Sequence, residues 1–198
     1  MKVLTRVLLL SSLVVPATAF AADTYTIDPN HTAVVWSISH FGFSNPNGKF
    51  YQPEGTLVLD QEKPENSKVN VTFKIDNLTT GVVDLDKHLK SKDFFDAEQF
   101  PTATYVSDKV EVTGDDTAIV HGNLTLHGVT KPVDLNVKLN KIGDNFKNMP
   151  TAGFDASAVI KRSDFGISAY LPALGDEVKL AIQSEANILP AEKDASKE

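Results

Sequence analysis

Two runs of strict alternation constrain this chain more than any other feature. Val69, Val71, Phe73 and Ile75 alternate with Asn70, Thr72, Lys74 and Asp76, and Val133, Leu135, Val137 and Leu139 alternate with Asp134, Asn136 and Lys138. A period of two sends successive side chains to opposite faces, so each run reads as a strand with one dry and one wet face. Val178, Leu180 and Ile182 repeat the pattern, and further strands are expected over 31–41, 48–60, 102–112, 117–127 and 151–162. Turn-forming stretches rich in Pro, Gly, Asn and Asp separate them: Asn45–Gly48, Lys63–Asn66, Thr113–Asp116 and Ile142–Asn145. About eight strands joined by short turns form an antiparallel meander, and closing it into a barrel removes the exposed edges. The expected fold is all-β, an eight-stranded antiparallel barrel, with a two-sheet sandwich as the alternative. A barrel of that size is either filled by side chains or holds one ligand.

Two stretches depart from clean alternation. Over 31–41, Val34, Trp36 and Ile38 share one face while Val35 and Phe41 make the other face apolar too. Such a strand is expected to be covered on both sides. Residues 85–107 read as a short helix, an aromatic loop, a proline stop and a strand. Leu85, His88 and Leu89 fall on one helical face, with Asp84 placed to cap the helix. Phe94, Phe95 and Phe100 then crowd the segment before Pro101. A short helix carrying so much aromatic surface is expected to act as a flap or plug on the barrel.

Residues 1–21 read as a secretory signal peptide. Lys2 and Arg6 precede the apolar run Val7–Val15, and small residues at Ala17–Ala22 suit cleavage after Ala21. The run is too short to span a bilayer, and no later segment is apolar enough to do so. Export to the periplasm or the medium follows, with 22–189 as one barrel domain and 190–198 as a tail without packing residues. The whole chain carries −7, and losing Lys2 and Arg6 with no acidic residue takes it to −9. Such a chain repels nucleic acid and anionic surfaces. With no cysteine there is no disulfide, and the core depends on apolar burial.

The polar residues offer little chemistry unaided. The histidines, His31, His40, His88, His121 and His127, show no helical zinc spacing, and no G-x-S-x-G elbow occurs. No metal or other cofactor is expected to be required. Arg162 is the one arginine left after cleavage, beside Asp164 at the end of an apolar run. Its planar fork suits either a structural pair with Asp164 or a loop carbonyl, or a polar ligand group.

Several motifs occur together in order: Asp28-Pro-Asn-His-Thr32, Trp36-Ser-Ile-Ser-His-Phe-Gly42, Gly48-Lys-Phe50, His88–Asp96, Phe100-Pro-Thr102, Gly122–Val133, Lys161–Gly166 and Gly175–Val178. Across nearly the whole mature chain they resemble the YceI-like family, exported lipocalin-like barrels that bind long polyisoprenoids. The resemblance implies a long-chain isoprenoid lipid or quinone as ligand, and makes a homodimer plausible. On that reading the tunnel is lined by Trp36, Ile38, Phe41, Phe73, Ile75, Phe94, Phe95, Phe100, Tyr105, Phe154, Phe165 and Tyr170. His40, His88, Arg162 and Asp164 are the candidates for the polar head. Two other readings stay open: an enzyme of unknown reaction using His40, His88 or Asp164 in the same cavity, and a filled barrel with a structural or stress role.

Overall fold

The computed structural model describes residues 22–190, so the expected signal peptide and residues 191–198 of the expected tail lie outside the described residues. Every stretch named above forms strand, that over 48–60 in two pieces, and the alternation decides which side chains point inward. The strands are β1 (Asp23–Ile27), β2 (Ala33–His40), β3 (Asn47–Tyr51), β4 (Glu54–Leu59), β5 (Lys68–Lys74), β6 (Leu78–Thr79), β7 (Thr102–Val112), β8 (Thr117–Leu126), β9 (Val129–Asp144), β10 (Pro150–Lys161) and β11 (Leu174–Asn187). One helix, α1 (Val83–Lys90), stands between β6 and β7.

The pairing is antiparallel throughout and closes on itself. The order β1-β4-β5-β7-β8-β9-β10-β11 returns to β1 through Thr26↔Asn187 and Ile27↔Ala186, a ring of eight. The remaining pieces continue members of that ring. β2 pairs with the earlier part of β11 while β1 pairs with its end, so β1 and β2 are two halves of one broken strand. β3 and β4 break likewise at Gln52-Pro53, where Gln52 has φ +52. The single strand expected over 48–60 is thus two, because Pro53 supplies no ladder donor. β5 and β6 are separated by the 3-10 turn Ile75–Asn77, so Ile75 ends its alternating run in a turn.

Local chemistry explains the sharpest corner. Only His127 and Gly128 separate the paired residues Leu126 and Val129, and both have positive φ, +51 and +73. That is the geometry a two-residue hairpin demands, and glycine supplies half of it without strain. The His127 ring then sits 4.7 Å from the Phe100 ring, and its Nδ1 lies 3.0 Å from the Phe165 carbonyl oxygen.

At one end of the barrel the wall is not hydrogen-bonded all round. β6 pairs only with β3, and β7 pairs with β5 and β8, so no ladder joins β6 to β7. The last bond on that side is Ile75 N–H to Pro101 O, 2.9 Å. α1 and residues 91–101 close the gap with side chains: Leu89 and Phe94 share a buried cluster with Trp36, Leu78 and Ala103. An eight-residue helix is marginal alone and is held by this packing. Asp84 does not cap it. The residue before the helix is Val82, and the Asp84 side chain is 94% exposed beside Lys87. The tether is Asp86, whose Oδ1 accepts the Thr80 N–H and hydroxyl, both at 2.6 Å.

The second apolar face expected on β2 is not covered. Val35 is 40% exposed, and Phe41 lies beyond the strand in the following turn.

Candidate functional site

The inward faces enclose a cavity of about 850 Å³ running along the barrel. One end lies among His40, Phe41, Ser44, Leu85, His88 and Tyr170; the other lies among Asp60, Gln61, Asp115 and Asp116. Between them the wall is almost wholly apolar. The volume falls within the range of small-molecule sites.

The structure brings most of the expected residues to this cavity. Trp36 and Ile38 enter from β2, Phe73 from β5, Tyr105 from β7 and Phe154 from β10. Phe94 and Phe95 enter from the loop after α1, Phe41 and Tyr170 from loops at the rim. Gly48 on β3 makes room for Trp36: a Cβ there would collide with the indole ring. The indole Nε1 is the one fully buried side-chain polar atom without a partner among the described residues. Tyr105 is pinned, its hydroxyl 2.9 Å from the Val120 carbonyl and 3.1 Å from that of Val133. Burial, with Asp134 and Asp108 adding to it, pushes its pKa above the ordinary phenol range. Tyr105 is a rivet between strands rather than a free donor.

Three expected aromatic or aliphatic positions lie off the cavity wall. Ile75, 1% exposed, packs in the core beneath its 3-10 turn. Phe165, also 1% exposed, belongs to the core of the 3-10 turn Arg162–Phe165. Phe100 is taken up by His127 and by Gly128, whose missing Cβ it fills. Asp164 is exposed and lies off the wall as well.

Arg162 does reach the wall, but its fork is occupied. It is 5% exposed and donates to three carbonyls: Nε to Gly175 (2.8 Å), Nη1 to Ile167 (3.0 Å) and Nη2 to Leu174 (3.0 Å). Burial lowers its pKa, with Asp176 opposing. The acid in this corner is therefore Asp176 and not Asp164. Asp176 accepts the Ser163 N–H at 2.9 Å and its hydroxyl at 2.8 Å. Burial works against the Asp176 carboxylate, but the Ser163 bonds and the Arg162 charge hold its pKa below the ordinary range.

His40 and His88 stand at the rim, both exposed. His88 lies edge-on to Phe94 at 5.0 Å and 6.3 Å from Tyr170. The histidines that face carboxylates are His31 and His121, both away from the cavity. Asp28, His31 and Glu185 cluster closely enough to suit a cation. Asp28, however, is already engaged by Asn30 N–H (2.8 Å), His31 Nδ1 (2.9 Å) and Asn187 Nδ2 (3.1 Å). This cluster clasps the β1–β2 corner to β11.

Reading aromatics missed most of the wall, which is aliphatic: Val34, Leu57, Val120, Leu124, Leu180 and Ile182 among others. Their signal was the alternation itself, since each occupies an inward position of its strand.

The matching family model is the YceI-like domain, over residues 25–186. This chain belongs to the YceI-like family. A Protein YceI of Salmonella arizonae is 40% identical over 178 residues, covering 89% of this chain and 93% of that protein. The crystal structure of a Campylobacter jejuni YCEI protein superposes with TM-score 0.70 at 30% identity, covering 77% of this chain and 90% of that one. A polyisoprenoid binding domain from Saccharophagus degradans superposes with TM-score 0.66 at 13% identity, covering 86% and 100%. That last likeness is one of fold alone.

Proposed function

We propose that the protein is an exported carrier or store that holds one long isoprenoid, a quinone or an isoprenyl lipid, inside the barrel. The observation that carries this reading is the continuous apolar cavity of about 850 Å³. Each buried methylene contributes about 0.8 kcal/mol, so a long tail binds well without special chemistry. A neighbour in fold is named as a polyisoprenoid binding domain, which supports the same ligand class for this barrel. The two ends of the cavity give the ligand a direction. Three carboxylates, Asp60, Asp115 and Asp116, disfavour an anionic head at one end, although Lys68 lines that end too and Lys138 lies 3.9 Å from Asp116. The tail therefore points there, and the head stays at the α1 end near His40, His88 and Tyr170. Arg162, with its donors committed to carbonyls, holds the rim loop in place for that head. Catalysis would need polar groups converging on a reacting atom; the polar groups on the wall are few, and the Thr32 and Ser184 hydroxyls among them bond to each other at 3.3 Å.

The test is extraction of native protein from the exported fraction, followed by mass spectrometry of the bound lipid. An isoprenoid in near-stoichiometric amount is expected. Native protein free of isoprenoid, and delipidated protein that takes up neither a quinone nor an isoprenyl phosphate, would overturn the reading.

A further inference from the structure

The rim at the α1 end has a surface unlike the rest of the molecule. Phe43 is 91% exposed, Tyr170 56% and Phe41 48%. Phe43 lies in the turn after β2, closed by His40 N–H to Ser44 O at 2.8 Å. Tyr170 lies in the loop before β11. The two loops are stitched together by Phe41 N–H to Ala173 O, 3.1 Å. These aromatics therefore form one patch around one opening, and Phe41 and Tyr170 also line the cavity. Both are held at positive φ, +53 and +61, a conformation that aromatic residues rarely adopt. Backbone strain of this kind concentrates where function demands it.

The charges are arranged to match. In a chain with 23% charged residues, 41–48 and 165–175 contain no Asp, Glu, Lys or Arg. Val82 and Val83, where the helix beside them begins, are exposed; Lys87 faces Asp84 at 3.5 Å, Lys90 faces Asp76 at 3.8 Å, and Asp86 is engaged by Thr80. The opposite opening is charged, with Asp60, Asp115 and Asp116 beside Lys68 and with Lys138 3.9 Å from Asp116. Phe146, 87% exposed at that end, stands alone beside Asp144 and Lys147 and does not line the cavity.

We propose that this uncharged aromatic rim docks on the surface of a lipid bilayer and that the cargo passes between membrane and barrel through it. The proposal rests on the carrier reading. Exposed aromatics next to an apolar opening suit the membrane–water interface, where rings partition favourably. An isoprenoid dissolved in a bilayer then moves into the tunnel without crossing water. The occupant is a zwitterionic surface, because the chain from Ala22, which carries −9 without Lys2 and Arg6, is repelled by an anionic one.

The experiment uses the chain from Ala22, which carries the whole barrel, with phosphatidylcholine vesicles. Flotation measures docking without cargo, and stopped-flow transfer of a fluorescent quinone analogue from loaded protein into the vesicles measures exchange. Phe43→Asp is expected to weaken flotation at least about tenfold and to slow transfer by a similar factor. It should leave retention of preloaded quinone in the absence of vesicles unchanged, since Phe43 does not line the cavity. Phe146→Asp, as exposed but at the other end, should change neither. Added phosphatidylglycerol should weaken docking of the parent. Equal flotation by parent and Phe43→Asp, or an equal loss with Phe146→Asp, would overturn the proposal. So would slowed transfer where the parent binds no vesicles, which would point to a protein donor. Flotation through this rim by a protein that retains no quinone would uphold the docking and sink the carrier reading.

Discussion

Arg162 shows how one side chain can sit on a ligand cavity and still serve the fold. Its three donors meet the carbonyls of Ile167, Leu174 and Gly175, which are the two ends of the rim loop. Lysine has no fork and cannot serve three carbonyls spread in a plane. Arg162→Lys should therefore cost about 2–4 kcal/mol, with or without lipid bound, because hydrogen bonds to a charged group are lost and buried acceptors go unpaired. Thermal melts of loaded and delipidated protein check this: a drop confined to the loaded form would instead make Arg162 a head-group contact. The arginine stood out in the sequence, and a loop carbonyl was one of the two partners expected of it; which carbonyls these are, and that the nearby acid is Asp176, was not legible. Asp164 was its neighbour along the chain, whereas the carbonyls and Asp176 come near only when the loop folds back from β11. Gly48 is the complementary case, a residue that acts by having no side chain. A Cβ there would collide with the Trp36 indole and lie 3.0 Å from the Thr79 carbonyl oxygen. Gly48→Ala should cost about 1–3 kcal/mol by overpacking and shift the ring toward the cavity. Trp36 is the only tryptophan, so its emission reports that shift directly.

α1 and the loop after it are the part of the wall held by side chains rather than by a ladder. The two adjacent phenylalanines there differ in burial and should differ in consequence. Phe94, 7% exposed, belongs to the main core cluster, and Phe94→Ala should cost about 3–5 kcal/mol. Phe95 is half-buried and meets Phe50 edge-to-face at 5.5 Å. Phe95→Ala should cost less in stability and speed ligand loss more; melts beside a lipid-retention assay separate the two effects. The Asp86 tether adds a pH dependence of known sign. The Thr80 hydroxyl bond, then the Thr80 N–H against some opposing burial, holds the Asp86 pKa below its ordinary value. A depressed carboxylate stabilises the fold above the unfolded pKa and loses that contribution as pH falls through the folded one. The protection of the α1 amides, taken relative to intrinsic exchange at each pH, should fall only once pH drops below the ordinary carboxylate range, and Asp86→Ala should remove that dependence. The helix was legible from Leu85, His88 and Leu89, whose spacing survives in the structure. Its cap was not, because the carboxylate that holds it lies inside the helix and reaches back to Thr80.

At the scale of the whole molecule, strands long enough to alternate were legible and short ones were not. β7, β8, β9, β10 and β11 run ten residues or more, and each was visible from its pattern. β1 has five residues and β6 has two, too few for a period to register. Those short pieces, with the breaks at 28–32, Gln52-Pro53 and 75–77, let the barrel open toward α1 instead of closing evenly. The tunnel is a property of that whole arrangement, and filling it tests the arrangement directly. Ala156 lies midway along β10, points inward and lines the cavity between Val137 and Ile182, its partners on either side. Ala156→Phe adds a ring to open space rather than to packed core, so the usual cost of overpacking should not apply in full. The delipidated variant is expected to melt within about 1 kcal/mol of the parent in stability, since the ring gains apolar contacts across the tunnel. Its retention of a long-chain quinone should fall at least about tenfold, because the tail can no longer pass that point. A short-chain quinone whose tail ends before Ala156 should bind as in the parent. Loss of stability with retention unchanged would mean that the interior at Ala156 is packed core, and that the isoprenoid lies elsewhere.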